Sequence, residues 1–184
     1  MSRTDAAAPA APALDPSTEK MTAACQRMAR TVELRPSTAI GTATTSVRVT
    51  HGMTCEVADG DWALTLDMPD RWGGNDRGPN PGVFGRAALG SCLAMAYRRW
   101  AAENSLPIHS LEVTVEADYD ARGELGLADV TPAYTEVRYI VAVESDASET
   151  EVRRVFDLAE TRCPYLVVWR DPMPMRRELQ VRKP

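Results

Sequence analysis

Missing from this chain is any long apolar run. The most apolar stretch, Ala87 to Tyr97, already contains Gly90 and Ser91, and it falls well short of the ~20 residues that a membrane-spanning helix needs. A basic block is missing too. The 21 basic residues are outnumbered by 26 acidic ones, giving a formal charge of −5, and nothing offers the basic stripe with which proteins neutralise nucleic-acid phosphates. The opening "MSRTDAAAPAAPALDPSTEK" has no Leu-rich core behind a basic start, and its prolines break any continuous helix. Residues 1–17 are therefore expected to form a flexible Ala/Pro tail rather than an export signal. A soluble, cytoplasmic protein follows, with neither nucleic acid nor membrane as a partner. At 184 residues in all, positions 18–184 suit a single domain with a sizeable core.

Cysteine is sparse and scattered. Cys25, Cys55, Cys92 and Cys163 include no Cys-x-x-Cys pair and no Cys/His cluster, which argues against structural zinc. Neither a metal nor a cofactor is expected. A reducing cytosol disfavours a permanent disulfide, so any pairing among these cysteines should be transient and functional.

What is present is a clear alternation of periods. Met21, Ala24, Cys25 and Met28 fall at helical spacing within 18–31, with Cys25 read as core. From Thr38 to Met68 the period becomes two, and the turn signals His51-Gly52 and Asp59-Gly60-Asp61 divide it into a three-stranded meander. On that meander Cys55 shares the apolar face with Met53 and Val57, and Arg48 takes the polar one. Residues 69–82, "PDRWGGNDRGPNPG", hold too many glycines and prolines for a regular element and form a loop. Pro81 then opens a long helix to about Asn104, apolar around most of its circumference and hence central. Its interior Gly85 and Gly90 together cost roughly 2 kcal/mol against alanine, which makes sense where a sheet or a second subunit approaches closely.

Leu111 to Tyr119 and Thr135 to Glu144 alternate as strands. Ser148 and Glu151 form a capping box, and Val152, Val155, Phe156, Ala159 and Cys163 share the face of a helix that Pro164 ends. The apolar stretch Tyr165 to Trp169 and a last strand near Arg176 to Val181 complete the chain. The order predicts an α+β fold, one antiparallel sheet packed on a long, buried central helix.

Two cysteines stand apart by context. Cys92 lies within "RAALGSCLAMAYRRW" in the buried helix, and Cys163 closes an apolar helix face beside Arg162; those faces can meet. Burial raises a thiol's pKa, and Cys92 is too deep in its helix for the dipole at the helix start to help. Its neighbours three and four residues away are Ala88, Leu89, Met95 and Ala96, so a cation must come from elsewhere. Unpaired carbonyls at a helix end disfavour a thiolate at Cys163. Two further features have a plainer reading: Cys92-x-x-Met95 offers soft ligands for copper(I) but suits packing, and Arg98-Arg99 could hold an anionic head but suits a solvated helix end.

"PNPGVFGRAALGSCLAMAYRRW", followed about 70 residues later by "RCPYLVVWR", resembles the OsmC/Ohr family of thiol peroxidases, and the element order resembles that family's fold over most of residues 38–182. The resemblance implies an intertwined homodimer with sites at the subunit interface. It implies that Cys92 is the peroxidatic cysteine, that Cys163 resolves it, and that organic hydroperoxides, alkyl or lipid, are the substrates. A dithiol, in that family a lipoylated protein, would regenerate the thiols. An early-strand arginine held by a loop glutamate activates the cysteine in such proteins, which points to Arg48, with His51 as the substitute. The sequence departs from the pattern at Gly82, which stands where the family carries that glutamate; Glu56, Asp70 or Asp76 would have to replace it. The alternative is a non-catalytic protein of the same fold, binding an apolar ligand or sensing oxidants.

Overall fold

The structure, a computed structural model, describes residues 16–183. Of the expected 1–17 tail, residues 1–15 lie outside the described residues. The chain divides into two compact units at Gly41/Thr42. In the first, helix α1 (Pro16–Leu34) carries Met21, Cys25 and Met28, and a 3-10 turn opened by Pro36 follows it.

The second unit begins with the meander β1 (Ser46–His51), β2 (Thr54–Asp59) and β3 (Trp62–Leu66). Gly52 and Gly60 supply the positive φ, 56° and 55°, that its two tight turns require. Val47, Val57 and Leu64 align across the three strands, as do Val49, Cys55 and Leu66, so they share one face; Arg48, Glu56 and Thr65 share the other. Val47, Val49, Trp62 and Leu64 on the apolar face are exposed.

The loop after β3 hangs on one carboxylate. Asp67, 1% exposed, accepts from Thr54 Oγ1 at 2.8 Å and from the backbone N–H groups of Met68, Asn75 and Arg77 at 2.8, 3.3 and 3.4 Å. Asn75 Nδ2 also donates to Thr54 Oγ1 at 3.2 Å. Burial alone would push the Asp67 carboxyl up, but these donors outweigh it and hold it below the ordinary value.

Helix α2 (Pro81–Glu103) starts where Pro81 predicts, and the structure adds a cap: Asn80 Oδ1 accepts from the Val83 N–H at 3.1 Å. Leu89, Leu93, Tyr97 and Ala101 are sealed against α4 (Glu149–Glu160) and the hairpin of β4 (Ser110–Tyr119) and β5 (Tyr134–Glu144). The ring of Tyr97 stacks on Phe156 at 4.3 Å. Between helix and sheet the spacing is set by Gly90, where a Cβ would come within 3.2 Å of Val115 Cγ2. One row of α2 faces outward, Val83, Ala87, Ser91 and Met95. Met95 is 71% exposed.

The capping box of Ser148 and Glu151 forms as expected. Three features differ from expectation. The antiparallel strands lie in two hydrogen-bonded sheets rather than one, β1–β2–β3 and β4–β5, because alternation marks a strand without saying which edge it pairs with. Helix α4 stops at Glu160 and Tyr165–Trp169 is helical, part of α5 (Pro164–Arg170); the proline that bars a helix behind it presets one ahead. Arg176–Val181 is irregular and exposed, not a strand; despite its alternation, it pairs with none of the strands among the described residues. The connection between β4 and β5 adds one short helical turn, α3 (Ala121–Glu124).

Candidate functional site: a cysteine pair beneath the central helix

Cys92 comes from the middle of α2 and Cys163 from the junction of α4 and α5, and the Cys163 thiol donates to Cys92 Sγ at 3.5 Å. The meeting follows from local rules. Cys163 caps the start of α5 in an extended conformation, φ −87° and ψ 107°, which turns its side chain out of the α4 line and toward α2. A further movement of about 1.5 Å would bring the sulfurs to the bonding distance of a disulfide. Cys163 is completely buried, whereas Cys92 is only half-buried. Of the two residues, Cys92 is the one with exposed surface.

Cys163 disfavours a thiolate in the direction the sequence suggests, but burial rather than helix-end carbonyls is the main cause. It heads a helix as well as following one, so no carbonyl set dominates it. Burial pushes its thiol up; the N–H groups of Leu166 and Tyr165 oppose this, the neighbouring Cys92 adds to it, and the net direction is upward. Among the described residues no charged side chain hydrogen-bonds to Cys92 Sγ, whose recorded partner is Cys163.

Arg48 is not brought to the pair by its own chain. It borders a hollow of about 570 Å³ lined by residues of β1, β2 and β3 alone. Glu56 lies directly across the strand pair from it, the position from which side chains interact on one sheet face. Of the three acids that could replace the missing glutamate, Glu56 is thus adjacent to Arg48. Asp76 is engaged elsewhere, accepting from the Asp70 N–H at 3.1 Å. His51 ends β1 opposite Thr54 and is exposed.

The space beside Gly82 is occupied. A Cβ there would lie 3.0 Å from Tyr134 Oη, 3.2 Å from Asn80 Oδ1 and 3.3 Å from Arg86 Nη1. Arg86 Nη1 donates to Tyr134 Oη at 2.9 Å, and the Tyr134 ring stacks on Trp169 of α5 at 5.8 Å. Trp169 in turn lies against Gly85. A tyrosine and an arginine therefore fill the niche at the start of α2.

The remaining candidates are engaged or dispersed. Met95 sits on the exposed row while Cys92 faces Cys163. Arg98 Nη1 donates to the Ile108 carbonyl at 2.7 Å, and Arg99 Nε to Glu103 at 2.8 Å. Among the described residues no three His, Cys, Asp or Glu side chains gather as a metal site, and no helix is long and apolar enough to cross a membrane.

Sequence reasoning missed a polar group beside the pair. Tyr97 Oη donates to Glu160 Oε1 at 2.7 Å, and burial first and this carboxylate second push the Tyr139 hydroxyl up to about 12. A signal existed: Glu160 falls four residues after Phe156, on the apolar face of α4, where an acid needs a buried donor.

With this geometry in place, comparison with known proteins decides the family. The profile described as OsmC-like protein matches residues 73–176, more than half of the chain. The chain belongs to the OsmC-like family. An uncharacterised protein of Haloferax volcanii is 28% identical over 120 residues, covering 65% of this chain and 80% of that one. Among solved structures, an OsmC-like protein from Mycoplasma pneumoniae superposes with a TM-score of 0.61 at 17% identity, covering 71% of this chain and 89% of that one. An organic hydroperoxide resistance protein from Elizabethkingia anophelis gives 0.55 at 18%, over 72% and 90%. An organic hydroperoxide resistance protein OsmC from Legionella pneumophila gives 0.52 at 20%, over 72% and 91%. At these identities the structures establish the OsmC-like fold, mixed helix and antiparallel sheet. Family membership suggests redox or peroxidase chemistry.

Proposed function

We propose that this OsmC-like protein reduces organic hydroperoxides with Cys92 as the attacking and Cys163 as the resolving cysteine. The observation that carries this is the 3.5 Å approach of two sulfurs, one in a fully buried residue and the other in the half-buried Cys92. The Cys92 thiolate attacks the distal peroxide oxygen, the O–O bond breaks, and the alkoxide leaves as the alcohol after taking a proton. Cys92, oxidised by two electrons, becomes a sulfenic acid. Cys163 sulfur then attacks Cys92 sulfur, the S–O bond breaks, and the hydroxyl departs with the Cys163 proton as water. A cellular dithiol, such as a lipoylated protein, reduces the disulfide. The apolar side chains around the pair favour alkyl or lipid peroxides over small polar oxidants, and the cytoplasm supplies the reducing setting.

The cation completing the site is Arg48 of a second copy. This is supported by the exposed apolar face of the meander, by the outward row on α2, and by the absence of any charged hydrogen-bond partner of Cys92 among the described residues. Two such surfaces on one chain suit a self-complementary dimer.

Consumption of cumene hydroperoxide with dihydrolipoate tests the proposal; turnover no faster than that of Cys92→Ser overturns it. In Cys163→Ser, one equivalent of peroxide should leave sulfenic acid on Cys92 by mass spectrometry, and its absence reverses the roles. A second reading, a non-catalytic sensor or binder of an apolar ligand, is favoured by the filled niche at Gly82. It predicts stoichiometric disulfide formation without turnover.

A further inference from the structure

Beyond Asp171 the chain carries a strand-like segment that no strand accompanies. Residues 172–183 are irregular and exposed, and among the described residues none of their backbone N–H or C=O groups has a backbone partner. Pro172 and Pro174 precede nine residues, 175–183, that hold no proline, so every N–H among them is able to join a ladder. Their side chains alternate. Met175, Leu179 and Val181, 90%, 73% and 82% exposed, share one face with Arg177 and Lys183, and Arg176, Glu178, Gln180 and Arg182 share the other. A matching edge exists on the hairpin. Strand β4, ten residues long, pairs only with β5 among the described residues, and a two-stranded sheet is marginal by itself. Leu111, Val113 and Val115 of β4 pack on the core, while Glu112, Thr114, Glu116 and Asp118 are exposed on its outer face. The cross-strand register adds Glu136 and Glu144 from β5 to that face, with Arg138 as its cation. Arg138 already pairs with Glu116, Asp118 and Glu136, so one guanidinium serves three carboxylates and the face keeps a surplus of negative charge.

We propose that residues 175–183 of one copy add as a strand to the free edge of β4 in a second copy, with Arg176 and Arg182 over the acidic outer face and Leu179 and Val181 continuing the apolar inner one. Both faces match at once, as the period of two requires. The other edges match less well. The outer face of β5 carries Arg138, Ile140 and Ala142 along its middle, β1 sets Arg48 on its polar face, and the polar face of β3 offers Ala63 and Thr65 without an acid. The occupant is a second copy because the segment pairs with neither sheet of its own chain, and exchange in both directions closes a two-fold pair. Main-chain hydrogen bonds supply the affinity in such strand addition, and side chains supply the choice of edge. An acidic edge also repels acidic strands, so the same carboxylates that admit a basic segment guard the edge against others.

The inference is independent of the roles proposed for the cysteines, and its test reads no turnover. Hydrogen exchange of the intact chain is followed by mass spectrometry on peptides from residues 172–183 and from α2. In the wild type the amides of 175–183 should exchange at least about tenfold more slowly than in a free peptide of that sequence. Glu112→Lys/Glu116→Lys and Arg176→Glu/Arg182→Glu should each lose this protection, because like charges then meet at the edge. Refolded together as an equal mixture, the two variants should regain it: each mixed pair sets a basic segment on an acidic edge and a reversed segment on a reversed edge. Exchange at the free-peptide rate in the wild type overturns the proposal. Protection that survives the hairpin reversal also overturns it, since the segment would then lie on another edge. A mixture that stays unprotected overturns the second copy as occupant. Protection in α2 reports folding in the same samples; should the hairpin variant lose that as well, Glu112→Lys alone, which leaves the ion pairs of Arg138 in place, takes its part in the mixture.

Discussion

The hydroxyl of Tyr134 lies 3.0 Å from the point at which Gly82 would carry a Cβ. A residue at the second position of a helix is therefore kept small by a side chain 52 positions further along, itself held by Arg86 and Trp169. The two sites are coupled. Gly82→Ala alone sets a helix-propensity gain of up to ~1 kcal/mol against crowding of the tyrosine. In a Tyr134→Phe background the tightest of the three contacts is removed, leaving Asn80 Oδ1 at 3.2 Å and Arg86 Nη1 at 3.3 Å, and more of the gain should be expressed. Urea unfolding of the four proteins is expected to give a coupling of about 1 kcal/mol; strict additivity would mean that the niche is not filled in solution.

Gly85 and Gly90 sit in the same helix but face different neighbours. A Cβ at Gly85 would meet Trp169 at an ordinary 3.5 Å, whereas one at Gly90 would press on Val115 at 3.2 Å. Gly85→Ala should stabilise the protein by about 0.5–1 kcal/mol. Gly90→Val should destabilise it by about 1–3 kcal/mol through overpacking. Denaturant midpoints moving in the same direction would refute the assignment of Gly90 to the sheet contact.

Arg48 offers a test by mixing. Arg48→Ala and Cys92→Ser should each lack peroxide turnover. When the two are unfolded together and refolded as a mixture, half of the dimers should pair one of each, and one site in each of these would be intact. Recovered activity of about a quarter of wild type is expected for a site shared between copies. No recovery would place Arg48 and Cys92 in the same subunit or remove Arg48 from the site.

Asp67 gives a pH dependence of known sign. Its carboxyl is held below the ordinary value in the folded protein, so its contribution is present above about pH 4, the unfolded value, and is lost as pH falls through the lower, folded one. Asp67→Asn should therefore be less stable than wild type at neutral pH, and the gap should close below about pH 4. A gap unchanged between pH 7 and pH 3 would show that the hydrogen bonds, not the charge, do the holding.

Local chemistry made much of the fold legible. Pro81 and Ser148/Glu151 announced the starts of α2 and α4 because such signals act within one turn of themselves, and Gly52 and Gly60 marked their turns for the same reason. Pro164 was read for only one of its two meanings, ending the helix behind it, while it also presets the helix ahead. The alternation at Arg176–Val181 describes a segment able to pair, but alternation says nothing of whether a partner edge is met, and among the described residues it joins neither sheet. At the site, Cys92 and Cys163 could be paired from their helix faces. Glu160 was overlooked because an acid on a helix normally marks the wet side, and only the third dimension supplies the tyrosines that change this. The distance from Arg48 to Cys92 was out of reach for a deeper reason: in the proposed dimer it is not a property of one chain.

The outward row of α2, Val83, Ala87, Ser91 and Met95, bears on how this protein should be handled at the bench. If that row is buried only when two copies meet, folding free energy includes a term that scales with the logarithm of protein concentration. Dilution to nanomolar levels would then act like a mild denaturant, lowering the melting temperature and silencing the site together. A polar substitution at Met95 would look harmless in a concentrated sample and damaging in a dilute one.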